Sequence, residues 1–366
     1  MHPLFTERGF LPAYDPARSF APGSKLSALD EIGHDLPSLL EDSNFRQYVR
    51  GLRVPEWPED RLREETLPEL RLYFVRLGFL ASAYVNQVSQ PRADTLPHNI
   101  AVPLCKACAL LERPPILSYD GYALYNWKRI DATGPIALGN IDTLQNFVHL
   151  YDEHWFILIH VEIEAIGARV LAGMDRAARA FESRNAAGLS LALREIAAAV
   201  WRQVAVLRRI PEKMDPALYY RTFRPYIRFF EGVVYEGMAR TPMNFRGETG
   251  AQSSLMPALI AFMKIPHRQS ALTDHLTDMR RFMPLEHRRL IAELEALPSV
   301  RDLAEPEPYN EVLEAMATFR EVHFTWAQEY VNRWVEDPRG TGGTPYMEWL
   351  RQLIDETRLH KLPASR

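Results

Sequence analysis

The stretch EHWFILIHVEIEAIG, residues 153–167, decides how the rest of the chain is read. Apolar residues recur in it at three- and four-residue spacing, which is the pattern of a helix. As a helix it places His154, Leu158, Val161 or Glu162, and Ala165 along one side, with Phe156, His160, Ile163 and Gly167 along another. Six helical residues turn through about 600°, which leaves the two histidines roughly 120° apart. They do not share one metal ion. In so apolar a run each histidine needs a partner, because an unsatisfied buried polar group costs about 1–3 kcal/mol. A backbone carbonyl or a nearby acid meets that need for an ordinary structural histidine.

Outward from this stretch the helical pattern covers 143–173 and recurs over 176–208, 216–231, 251–264, 270–281, 284–296 and 308–335. Upstream, LPELRLYFVRLGFLASAYVNQ aligns Leu70, Phe74, Leu77, Leu80 and Tyr84 on one stripe, predicting a helix from about residue 67. No long segment alternates with period two and no internal repeat appears, so the fold class is mainly α. The first 60 residues, rich in Pro and Gly, read as irregular chain wrapped on a domain. Paired prolines and a DG turn between Gln90 and Trp127 separate short elements, with small extended pieces expected before residue 141. IDATGPIALGN, residues 130–140, reads as a linker. The expected organisation is a smaller mixed N-terminal domain, 1–141, packed over a large helical domain, 142–366.

Composition excludes several classes of function. With 47% hydrophobic and 25% charged residues the chain is an ordinary globular protein, and global disorder is ruled out. A net charge of −4, with basic residues scattered among acidic ones, offers no basic face for nucleic acid or an anionic membrane. The start, MHPLFTERGFLPAYDP, lacks the pattern of a secretory signal, and no apolar run reaches membrane-spanning length, so a cytoplasmic protein is expected. Cys105 and Cys108 form a lone CxxC without a second pair for zinc and without the histidine of a c-type haem attachment. Two reduced structural cysteines are expected.

Three features carry candidate chemistry. On TFREVHFTWAQEYVNRW, residues 318–334, the stripe Phe319, Val322, His323, Trp326 and Tyr330 turns His323 inward. The residues three and four away are Phe319, Arg320, Trp326 and Ala327, none of them a metal ligand, so an HExxH-type site has no support. His323 is either a satisfied core histidine or a single axial ligand of haem. In LYYRTFRPYIRFFEG, Tyr219, Phe223, Tyr226 and Phe230 form an aromatic face beside Arg224, whose guanidinium suits a carboxylate. The plain alternative is a surface arginine among core aromatics. GTGGT, residues 340–344, lacks the ending of a P-loop and follows a helix, so it reads as a mobile lid.

Several segments, in order, give the chain a resemblance. They are LPHNIAVPLCKACALLERPPILSYDGYALYNWKRID (96–131), VEIEA (161–165), VVYEGM (233–238), GAQSS (250–254), DMRRFMPLEHRRLIAELEALPSVRD (278–302), FREVHF (319–324) and GTGGT. From about residue 67 to its C-terminus the chain resembles the indoleamine 2,3-dioxygenases. The resemblance implies a small N-terminal domain over a large helical one that binds a single non-covalent b-type haem. It implies that His323 is the proximal ligand of the haem iron, and that Gly250 and the neighbouring Thr249 line the haem. By the same resemblance Arg224 pairs with the substrate carboxylate, Tyr119 and Tyr219 wall the distal pocket, and Thr341 in the closing loop hydrogen-bonds the substrate. The implied reaction inserts O₂ across C2–C3 of L-tryptophan or a related indoleamine. N-formylkynurenine results, the first step of the kynurenine pathway, with an electron donor keeping the iron ferrous.

The chain also departs from the family pattern. Leu158 stands where a distal serine is common and His154 where an aromatic is usual, so both are expected on the pocket side, with His160 structural on another face. Glu248 and Thr249 stand where Gly and Ser are common. These departures keep open an oxygenase for another indole or aromatic amino acid in specialised metabolism, and a haem-binding protein without catalysis. Retention of Arg224, His323 and GTGGT together favours an enzyme.

Overall fold

The computed structural model describes residues 3–58, 63–88, 90–334 and 346–363, so GTGGT and Thr341 lie outside the described residues. The helices are α1 (Pro3–Arg8), α2 (Ala28–Leu39), α3 (Phe45–Gly51), α4 (Leu67–Val85), α5 (His98–Leu110), α6 (Tyr151–Glu182) and α7 (Ala186–Leu207). They continue as α8 (Pro216–Leu218), α9 (Leu255–Met263), α10 (Ala271–Arg280), α11 (Leu285–Ala296), α12 (Pro306–Tyr330) and α13 (Tyr346–Leu359). Five short strands accompany them: β1 (Thr95–Leu96), β2 (Trp127–Arg129), β3 (Ile141–Thr143), β4 (Phe230–Tyr235) and β5 (Met243–Phe245). The fold is mainly α. Among the described residues no helix is long and apolar enough to cross a membrane.

α6 is shared by two apolar clusters. Ile157, Leu158 and Val161 enter the first, built around α4 and α5, while Trp155, Ile159, Ile163 and Ile166 enter the second, built on α7, α9, α11 and α12. α4 is buried nearly all round, from Leu72 through Val85, and its one buried cation, Arg76, is held by Asp30 at 3.0 Å and Gln145 at 2.7 Å. A buried charge is tolerated only when paired in this way.

Five expectations change. The first 60 residues are not irregular, since α1, α2 and α3 lie within them. Behind α1, Gly9 takes φ +64°, and a Cβ there would stand 2.4 Å from the Glu164 carbonyl oxygen, so the N-terminal chain lies directly on α6. The break expected at 174–175 is absent. α6 runs on to Glu182, and the chain turns where Asn185 caps α7, its side chain accepting from Gly188 N–H at 2.9 Å. Gly173 is instead a crossing point, where a Cβ would meet Ile196 at 2.5 Å.

The segment 216–231 is not one helix either. It makes one α-turn, then a wide turn over Tyr219–Phe223 closed by Arg224 N–H on the Tyr219 carbonyl at 3.1 Å. Pro225 cannot extend it, and β4 follows. β4 pairs with β1 in parallel and with β5 antiparallel, so strands also occur after residue 141. The segment 130–140 closes the β2–β3 hairpin, with Ile130 N–H on the Asn140 carbonyl at 2.8 Å, and position 141 falls on β3 itself.

Candidate functional site

Between the two buried faces of α6 runs a third edge, on which Phe156 and His160 are only partly covered. This edge borders a cavity of about 310 Å³ enclosed by α6, the 249–257 segment, α10, α12 and α13. His160, Tyr119, Thr249, Gly250, Ser253 and His323 line it, along with apolar side chains such as Ile163, Leu255 and Phe319. Pockets of this size with few polar groups are the usual form of small-molecule sites.

Nδ1 of His160 lies 2.7 Å from the Phe156 carbonyl oxygen. A carbonyl only accepts, so this nitrogen carries the hydrogen and Nε2 keeps a lone pair. Burial lowers the pKa of His160, which favours the neutral ring. The imidazole packs 4.6 Å from Phe156 and 5.8 Å from Tyr119. His323 opens into the same cavity, and this opening gives its ring accessible surface although protein surrounds it. Burial first, and His160 second, push its pKa down to about 4, so it too is a neutral imidazole able to bind iron.

The structure reverses the expected roles of the α6 histidines. His154 faces away from the cavity, with Nδ1 3.0 Å from both Asp142 Oδ1 and Thr143 Oγ1 and its ring 5.5 Å from Tyr151. Leu158 is 1% exposed and belongs to the first apolar cluster. The cavity edge therefore carries His160, with Phe156 packed against its ring, two residues later than expected. The cause is visible in the sequence: VEIE repeats its own pattern, Val161-Glu162 then Ile163-Glu164, and fits either register. The informative signal was Glu164, a buried acid whose Oε1 accepts from Tyr119 O–H at 2.8 Å and Ser253 O–H at 2.6 Å. Among the described residues its other oxygen is buried without a hydrogen-bond partner.

Tyr119 is positioned from both ends, since its N–H donates to Gln252 Oε1 at 2.9 Å. It precedes a wide turn, Asp120–Leu124, of the same kind as the one that begins at Tyr219. Such π-type turns occur often at functional sites. Tyr219 packs 5.5 Å from Phe156 and 5.2 Å from Phe223, extending the aromatic wall. Arg224 is buried, its guanidinium 5.1 Å from the Tyr220 ring, and it is not among the residues lining the cavity. Thr249 caps the Gly250–Gln252 turn, and a Cβ on Gly250 would meet nothing within 4 Å, so both border open space.

The lining fits haem. Among the described residues no three His, Cys, Asp or Glu side chains converge on a metal site, so an iron bound by His323 needs a group that brings its own equatorial donors. Two further lining histidines, His267 and His275, each have a buried nitrogen without a partner among the described residues. Cys105 and Cys108 are free, on α5, with thiols pushed up to about 11 and about 12 by burial, and neither lines this cavity. A second cavity, about 370 Å³ beside Phe10, has a histidine already engaged: Nδ1 of His287 lies 3.1 Å from Ser254 Oγ.

Comparison with known proteins agrees with this geometry. The family model described as indoleamine 2,3-dioxygenase matches residues 3–335. The chain is 30% identical to indoleamine 2,3-dioxygenase 1 of Rattus norvegicus, over 89% of this chain and 87% of the relative. It is also 30% identical to the indoleamine 2,3-dioxygenase of Saccharomyces cerevisiae, over 90% and 86%. A 6-hydroxytryptophan 2,3-dioxygenase of Fusarium equiseti is 25% identical over 98% and 96%. With the family model matched over most of its length and relatives at this identity and coverage, the chain belongs to the indoleamine 2,3-dioxygenase family and is a haem-dependent 2,3-dioxygenase acting on indoles with O₂.

Proposed function

We propose that this protein cleaves the C2–C3 bond of L-tryptophan, or of a ring-substituted tryptophan, to give the corresponding N-formylkynurenine. The observation that carries this reading is the pair of neutral imidazoles, His160 and His323, bordering one cavity with an aromatic wall. Haem b, held without covalent attachment through His323 and bordered by Thr249 and Gly250, supplies the activation of O₂ when bound. The chain supplies orientation. His160 Nε2, with its lone pair, accepts from the indole N–H, and Phe156, Tyr119 and Tyr219 hold the ring flat. Arg224 takes the carboxylate, and Thr341, which lies outside the described residues, is assigned a hydrogen bond to the substrate. No side-chain base is needed. In this reading the N-terminal part, 1–141, covers the helical part, 142–366, and a cytoplasmic electron donor keeps the iron ferrous.

Two features favour a ring-substituted substrate in specialised metabolism as the second reading: the likeness to the 6-hydroxytryptophan 2,3-dioxygenase of Fusarium equiseti, and the acid Glu248 in a position where glycine is common in the family. The test common to both readings is reconstitution with haem, reduction, and addition of tryptophan in air while recording the ultraviolet absorbance of the formylkynurenine product. Absence of product from every indole at full haem loading overturns the proposal.

A further inference from the structure

Glu248 immediately precedes the cavity-lining Thr249 and Gly250 and is 3% exposed. Its backbone N–H donates to the Ile227 carbonyl at 3.0 Å, but among the described residues its carboxyl has no hydrogen-bond partner. That carboxyl stands close enough to the Tyr119 and Tyr122 phenols to disfavour ionisation of both. Neither phenol has a proton to offer it. Tyr119 donates to Glu164 at 2.8 Å and Tyr122 donates to Glu153 at 3.0 Å. Tyr119 touches His160 and Tyr122 touches Phe156, so the two tyrosines connect Glu248, which stands behind the lining residues Thr249 and Gly250, to the aromatic wall. Burial alone pushes its pKa up to about 8, which makes it a neutral acid with one O–H donor and a carbonyl acceptor at neutral pH.

A buried acid without a partner is costly and is rarely retained unless something fills the vacancy. With the substrate carboxylate at Arg224 and the indole N–H at His160, the group that meets the tyrosine side is the benzo edge of the indole. We propose that Glu248 is a specificity-determining residue that selects indoles carrying a hydroxyl, or a comparable hydrogen-bonding group, on the benzo ring over unsubstituted tryptophan. A ring hydroxyl donates to the acid's carbonyl oxygen and accepts from its O–H, whereas a C–H edge leaves the acid unpaired. Sites built around a substrate hydroxyl reject the analogue that lacks it far more strongly than apolar pockets reject an added group. This inference rests on the dioxygenase reading above.

The test compares tryptophan, 5-hydroxytryptophan and 6-hydroxytryptophan as substrates of the haem-loaded wild type, Glu248→Gln and Glu248→Gly, with anaerobic binding calorimetry on the same proteins. In the wild type at least one hydroxylated substrate is expected to lead tryptophan by about tenfold or more in kcat/KM and in affinity. Glu248→Gln keeps a donor and an acceptor and should retain most of that lead, while Glu248→Gly should abolish it and improve tryptophan. A wild type that prefers tryptophan, or a ratio unchanged in Glu248→Gly, overturns the proposal and leaves the dioxygenase reading standing. If no indole is turned over by any of the proteins, the dioxygenase reading falls, and calorimetry still decides the preference. Should Glu248→Gly fail to fold, the wild-type ratio and Glu248→Gln remain decisive.

Discussion

Glu153 and Glu248 are both buried and both pushed up to about 8, yet they differ in what surrounds them. Glu153, in the first turn of α6, accepts from Phe147 N–H at 2.8 Å, Val148 N–H at 2.9 Å and Tyr122 O–H at 3.0 Å. Among the described residues Glu248 accepts no hydrogen bond. The same contrast separates His154, engaged with Asp142 and Thr143, from His160, whose Nε2 opens on the cavity. A satisfied polar group in an apolar interior is scaffold, and an unsatisfied one marks where a ligand completes the structure. If that division holds, substitutions at the start of α6 should act on stability and substitutions at the cavity on cofactor and substrate.

The largest effect is expected on the cavity side. His323→Ala should abolish haem retention while leaving helix content intact, read as loss of Soret absorbance with unchanged far-ultraviolet circular dichroism. Normal haem content in that variant would remove His323 as the ligand and break the contrast at its strongest point.

Next comes the scaffold side. Glu153→Ala leaves two backbone donors and a phenol unsatisfied and should cost about 3 kcal/mol in denaturant unfolding. Glu153→Gln should show the pH dependence. The acid is protonated in the fold up to about pH 8 but ionises near 4.5 in the unfolded chain. Its stabilisation is therefore fully present below about 4.5 and is lost as pH rises through about 8. Relative to Glu153→Gln, the wild type should lose stability across that window. A flat difference between the two proteins would show that the carboxyl is already ionised in the fold.

Arg224 tests the middle of the scale, because it is buried beside the aromatic wall yet is assigned to a ligand. Arg224→Lys should raise KM for tryptophan by about tenfold through loss of the bidentate fork, with a smaller change for an indole lacking a carboxylate. Equal changes for both substrates would move Arg224 to the scaffold class.

Much of this arrangement was legible in the sequence, and the misreadings share a cause. The stripe Phe319, Val322, His323, Trp326 turned His323 inward from local spacing alone, and α4 was visible from Leu70 to Tyr84, because a helix is set by residues three and four apart. Pairings between distant residues leave no such trace. Thr95 and Val234 are partners in a parallel ladder, and nothing in either short segment announces the other. Pro225, which ends the turn after Arg224, was readable as a stop, but the aromatic spacing from Tyr219 to Phe230 masked it. The gap read between 173 and 176 is absent, and Gly173 beside it is a crossing point, which depends on where Ile196 of α7 arrives.

The register of α6 gives the smallest expected effect and the finest test of the division. His154→Ala removes a partly exposed ring whose bonds to Asp142 and Thr143 are largely replaceable by water, so it should cost no more than about 1 kcal/mol and leave haem content and turnover unchanged. His160→Leu keeps the volume of the cavity wall and removes the lone pair offered to the indole N–H. It should therefore reduce discrimination between tryptophan and its N1-methyl derivative, with unfolding midpoint little altered. Altered turnover in His154→Ala and unaltered discrimination in His160→Leu would return the pocket face to the 154/158 register. That result would also displace Phe156 from the aromatic wall, since a two-residue slip on a helix turns every side chain by about 200°.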